Sequence, residues 1–124
     1  MKIALSIDSN TTSGVISASF SRAPYFMIYD TETKKTDFID NTKNADQPGA
    51  GPRVIAMLKE TKIDTAIAES CGENVVMTLN NEGVVFFHAM KISAMEALAL
   101  FMNNQLHLLS DIHKGHQTPG TYKV

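Results

Sequence analysis

One thiol, four imidazoles and a scatter of carboxylates are the groups with which this chain could do chemistry. Cys71, the lone cysteine, lies in Glu69-Ser70-Cys71-Gly72, between a strand-like run and a helix-like one. Free N–H groups at a helix N-terminus favour an anion and lower a thiol's pKa. A thiolate there is a soft ligand for copper, iron–sulfur or molybdenum–sulfur species. The same residue also reads as a small buried hydrophobe, the commonest fate of a free cysteine. His88, at the end of Val84-Val85-Phe86-Phe87, can supply an imidazole nitrogen as a second metal ligand or simply bond a loop carbonyl. Arg22 and the amides of Gly49 and Gly51 suit an anion, either a phosphate or the charge of a sulfide cluster. Pairing of Arg22 with Asp8 or Asp40 is the competing structural account. Asp8, Asp40 and Glu69, near three strand ends, are of a type that holds Mg²⁺ for two-metal phosphoryl transfer. Such acids also cap helices. In the tail, His113 and His116 have metal-ligand spacing within a polar stretch of the kind that is often loosely ordered.

Periodicity sets the strands and helices that carry these groups. Residues 2–8 alternate as a strand, with Ile3, Leu5 and Ile7 on one face. Residues 9–24 read as a long polar loop, and Tyr25 to Thr31 and Thr36 to Asn41 as a hairpin. Its second run, with Asp37 and Asp40, suits an edge strand. Gly49-Ala50-Gly51-Pro52 starts a helix with Pro52 expected at the first helical position and Val54, Ile55 and Leu58 inward. Asp64 to Glu69 is a short strand, and Gly72 to Asn81 a helix with Val75, Val76 and Leu79 inside. Val84 to Phe87 is a further buried strand, and Ser93-Ala94-Met95-Glu96 is a capping box that opens the last long helix.

Strands alternating with helices imply right-handed crossovers and a mainly parallel sheet covered by helices, with one antiparallel strand from the hairpin. In such a sheet, ligands bind beyond the carboxyl ends of the strands. That topology brings loop 9–24, loop 42–51, Cys71 and His88 to one rim. The last long helix has almost no polar face, so it reads as covered by the tail from His107 onward or by a second copy of the chain, with a partly exposed alanine-rich face as the plain alternative. Met95 and Met102, one heptad apart on it, read as packing residues.

The whole chain bounds the answer. Its 124 residues make one domain with room for a core, and 44% of them are hydrophobic. With 11 basic and 13 acidic residues there is no basic stripe, which excludes a duplex-binding footprint. The apolar runs are too short for a bilayer span, and Met1-Lys2 leads directly into a strand-like run rather than a signal peptide. One cysteine cannot form an internal disulfide, so a reducing cytoplasm is the expected compartment.

Met1-Lys2-Ile3-Ala4, Ser19-Phe20-Ser21-Arg22-Ala23-Pro24-Tyr25-Phe26, Gly49-Ala50-Gly51-Pro52 and Gly72-Glu73-Asn74 resemble the dinitrogenase iron–molybdenum cofactor biosynthesis family. The resemblance spans residues 1–106 as one domain and leaves 107–124 as a tail that can pack on the last helix. It implies a three-layer α/β/α fold of the ribonuclease H-like kind, with a five-stranded mixed sheet and one antiparallel strand. It also implies a non-catalytic carrier or accessory protein for a metal–sulfur cofactor, with donor or acceptor proteins as partners. Cofactor contacts are then expected from Cys71, Arg22, Gly49, Gly51 and Ser19, with Cys71 and His88 as metal ligands. Ser19 and Ser21 stand where relatives often carry the His and Gly of a His-Phe-Gly-Arg pattern, and Asn44-Ala45-Asp46-Gln47-Pro48 lacks the histidine common in that loop. Two rival readings remain: a metal-free anion-binding or regulatory module, dimeric through the last helix, and a Mg²⁺-dependent phosphoryl-transfer enzyme.

Overall fold

The alternating run at the start becomes the centre of a sheet. In the computed structural model, which describes residues 1–113, the strands are β1 (Lys2–Ile7), β2 (Tyr25–Asp30), β3 (Thr36–Asp40), β4 (Thr65–Ala68) and β5 (Val85–His88). They form one five-stranded sheet in the order β3-β2-β1-β4-β5. β2 runs antiparallel to both of its neighbours, while β1, β4 and β5 pair in parallel. The expected mixed sheet with one opposed strand is therefore present.

The helices are α1 (Thr42–Ala45), α2 (Ala50–Thr61), α3 (Glu73–Asn81), α4 (Ala94–Met102) and α5 (Leu109–His113). Strand alternation divides the core into two layers. Ala4, Phe26, Ala66, Ala68 and Phe86 face one way, against Val54 and Leu58 of α2 and Val75 and Leu79 of α3. Ile3, Leu5, Ile7, Met27 and Ile67 face the other, against Ala94, Ala97 and Leu98 of α4. This is the three-layer α/β/α arrangement.

Three local expectations change. The short helix α1 occupies what reads as loop; the Asp40 carboxylate accepts from both the Thr42 amide (2.8 Å) and hydroxyl (2.6 Å) at its start. Pro52 is the third residue of α2, because Gly49 adopts a left-handed φ of 79° and turns the chain earlier. Proline is still tolerated there, since the first-turn N–H groups have no intrahelical acceptor. Met95 and Met102 do not pack inward: they are 51% and 54% exposed, because the small residues Ala94 and Ala97 take the sheet-facing side of α4.

Residues 107 and 108 lie along the outer edge of β5, where the His88 amide donates to the His107 carbonyl (2.9 Å) and Phe87 bridges Leu108. Leu109 is buried in the α2/α3 layer, opposite α4. His116 lies outside the described residues.

Candidate functional rim

Phe20 explains how a polar loop is held to the top of the sheet. The central strands offer small side chains, Ala4, Ser6, Ala66 and Ala68, and the Phe20 ring fills the space above them. It packs edge-on to Phe26 (5.0 Å) and to Phe86 (5.2 Å). Burying such a side chain contributes about 2–3 kcal/mol, enough to anchor the segment. Its neighbours Ser19, Ser21 and Arg22 stay at the surface or half-buried.

Hydrogen bonds then join the loops that topology brings to this rim. The Phe20 amide donates to the Ser70 carbonyl (2.9 Å), and the Ser70 hydroxyl returns a bond to the Ala18 carbonyl (2.6 Å). Arg22 Nη1 donates to the carbonyls of Ala45 (2.7 Å) and Gln47 (3.5 Å). Neither Asp8 nor Asp40 forms an ion pair with it among the described residues. Sequence reasoning missed Asn41. Its side chain is fully buried and its Nδ2 donates to the carbonyls of Ser21 (3.1 Å) and Ala23 (2.8 Å).

Two helices begin at this rim. α2 starts from Gly49 and α3 from Gly72, and neither receives a side-chain cap. Their first turns touch: a Cβ on Gly51 would stand 3.0 Å from Val75 Cγ2 and 4.0 Å from Ser21 Oγ. The contrast with α4 is informative. There Ser93 and Glu96 form the full capping box, and the amides of Ala94 and Met95 donate to the Gly14 and Thr12 carbonyls. The start of α4 is therefore spent on the protein itself. The starts of α2 and α3 present backbone N–H groups and the positive ends of two helix dipoles beside the Arg22 loop.

Cys71 lies under this rim, in the cluster that also holds Phe20, Ala23 and Val75. It is only 8% exposed, and burial pushes its thiol up to about 12. The shift runs opposite to the lowering expected at a helix start, and its cause is the loss of water around the sulfur. His88 is buried at the end of β5; strand alternation puts it on the face that carries Phe86, the Cys71 side of the sheet.

The carboxylates do not assemble. Asp8 accepts from the Ser17 hydroxyl at 2.6 Å, and Asp40 is engaged by Thr42, whose hydroxyl and then amide lower its pKa. Among the described residues, no three His, Cys, Asp or Glu side chains come close enough to hold a metal ion. The phosphoryl-transfer reading required such a group. A separate cleft of about 290 Å³, rimmed by Lys59, Lys62, Asp64 and Glu82, opens at the opposite edge of the sheet, away from all these loops. No helix among the described residues is long and apolar enough to cross a membrane.

These features define a small α/β protein with an amide-lined rim at the carboxyl ends of its strands. The chain belongs to the dinitrogenase iron-molybdenum cofactor family, whose model matches residues 1–104. The fold is shared with the apo form of the orange protein from Desulfovibrio gigas (TM-score 0.81, 19% identity, 86% of this chain and 91% of that one). An NMR structure from Thermotoga, provisionally described as a NifB protein of the DUF35 family, is 32% identical over 88% of this chain and 93% of its own, with a TM-score of 0.79. A protein of Methanocaldococcus jannaschii, provisionally described as a dinitrogenase, gives a TM-score of 0.65 at 23% identity over 89% and 95% of the two chains. No curated protein matches the sequence.

Proposed function

We propose that this protein is a non-catalytic, cytoplasmic accessory protein that binds an anionic metal–sulfur cofactor of the iron–molybdenum kind as cargo. Donor and acceptor proteins of that cofactor are its partners. The family supports the cargo class. The observation that carries the reading is the meeting of two uncapped, glycine-started helix N-termini beside Arg22. Ser19, the amides of Gly49 and Gly51, and the free N–H groups of Arg22 surround the cargo in this account.

Energetics favour a carrier over a permanent holder. Each exposed helix N-terminus stabilises an anion by about 0.3–1 kcal/mol, and a hydrogen bond to a charged group by about 1.5–3 kcal/mol. A few such contacts make a complex that forms and releases. Cys71 and His88 lie beneath the rim; the thiol binds a metal only by giving up a proton that burial holds tightly. Cys71 therefore acts first as packing under the rim and only second as a ligand.

Anaerobic titration with tetrathiomolybdate, followed by visible absorbance, tests this reading. A second reading, a metal-free module for a small oxyanion, has one observation in its favour: the Cys71 side chain is buried in the packed layer beneath the rim. Phosphate that binds while tetrathiomolybdate does not would select it. Within the main reading a second copy joins through α4, where Met95 and Met102 leave an outward apolar strip.

A further inference from the structure

We infer that Asn41 is the positioning residue of the rim, the group that sets where Arg22 and Ser21 stand relative to the α2 N-terminus. The inference rests on the reading of the rim as an anion site and names a residue that the sequence does not reveal. Asn41 is 0% exposed, and all the hydrogen-bonding groups of its side chain and backbone are used. On one side it holds the 19–24 segment: Nδ2 donates to the Ser21 and Ala23 carbonyls (3.1 and 2.8 Å), and its amide to the Pro24 carbonyl (2.8 Å). On the other it starts the 42–47 segment. Its carbonyl accepts from the Asn44 and Ala45 amides (both 3.0 Å), and its Oδ1 accepts from Asn44 Nδ2 (3.0 Å).

Arg22 crosses the same junction in the opposite sense. It leaves the segment that Asn41 grips and donates to the Ala45 carbonyl at 2.7 Å, one residue beyond Asn44. The two loops are thus cross-linked twice, once by a buried amide and once by an exposed guanidinium. The two links depend on each other, since Arg22 reaches Ala45 only while both segments stay in register. Without Nδ2, the Ser21 and Ala23 carbonyls lose their donor and the segment bearing Arg22 is free to shift. Other polar residues nearby, such as Ser70, fasten only one of the two loops.

The test uses the full chain with Asn41→Ala and the milder Asn44→Ala, which removes only the bond to Oδ1. Hydrogen–deuterium exchange and ¹⁵N spectra should show the amides of Ala23, Ala45 and Gln47 opening at least about tenfold faster in Asn41→Ala. Those of β1 and β4 should be unchanged, and Asn44→Ala should give a smaller effect of the same kind. Tetrathiomolybdate affinity should fall about tenfold in Asn41→Ala. Adding Arg22→Ala to that variant should cost no more than about twofold further, because both changes remove one arrangement. Unchanged exchange at Ala23 and Ala45, or fully multiplicative losses in the double variant, would overturn the inference. If the wild-type protein takes up no tetrathiomolybdate while the exchange result holds, Asn41 stands as the loop latch and the cargo reading falls.

Discussion

Gly51 and Val75 are the points at which the two helix starts meet: a Cβ on the glycine would lie 3.0 Å from Val75 Cγ2. That contact brings the first turn of α2 against the first turn of α3. The glycine is needed for approach, not for backbone freedom, since it is Gly49 that carries the positive φ.

Gly51→Ala should therefore destabilise the protein. Overpacking costs about 1–3 kcal/mol, and the helix propensity gained from alanine returns at most about 1 kcal/mol. A net loss near 1 kcal/mol is expected by urea unfolding. Val75→Ala in the same chain should recover part of it. Equal or greater stability of Gly51→Ala alone would show that the helices are free to separate.

Cys71 gives a pH signature. Folding raises its pKa to about 12 from 9.0, so between those values the unfolded chain releases a proton that the folded chain keeps. Stability should be intact below pH 9 and fall as pH rises through the window, by up to ~1.4 kcal/mol per unit. Urea unfolding at pH 8 and pH 10.5 should show a steeper loss in the wild type than in Cys71→Ala. At pH 8 alkylation of the folded thiol should be roughly 10³-fold slower than in urea. Rapid alkylation in the native state would place the sulfur in water.

The strip on α4 predicts self-association. Met95 and Met102 are half exposed, and Ala99 lies between them on the same face. Sedimentation velocity at micromolar concentration should show a dimer that the paired variant Met95→Lys, Met102→Lys converts to a monomer with unchanged unfolding. A monomeric wild type would remove the dimer.

The sheet was legible because its signals are local. Period-two alternation in residues 2–8, the hairpin, and the Ser93–Glu96 box each declare an element within a few residues, whereas the anchoring of the 9–24 loop by Phe20 depends on Phe26 and Phe86 and shows only in the fold. The α4 methionines were misassigned for an equally local reason: heptad spacing says that Met95 and Met102 share a face, not that the alanines would win the sheet side. Cys71 needed a comparison of two opposed effects, helix field and desolvation, and only coordinates give the second. Asn41 was invisible because its partners Ser21 and Ala23 lie 18 to 20 residues away, and an asparagine at a strand end carries no mark of what it will bond.

In the proposed function, the rim holds an anionic metal–sulfur species through backbone amides and Arg22. The most direct measurement is anaerobic tetrathiomolybdate binding to wild type, Arg22→Ala and Cys71→Ala at low and high salt. Saturable uptake is expected that weakens with salt, falls about tenfold in Arg22→Ala and changes by less than about twofold in Cys71→Ala. No uptake by the wild type, or uptake abolished by Cys71→Ala and indifferent to Arg22→Ala, would contradict it.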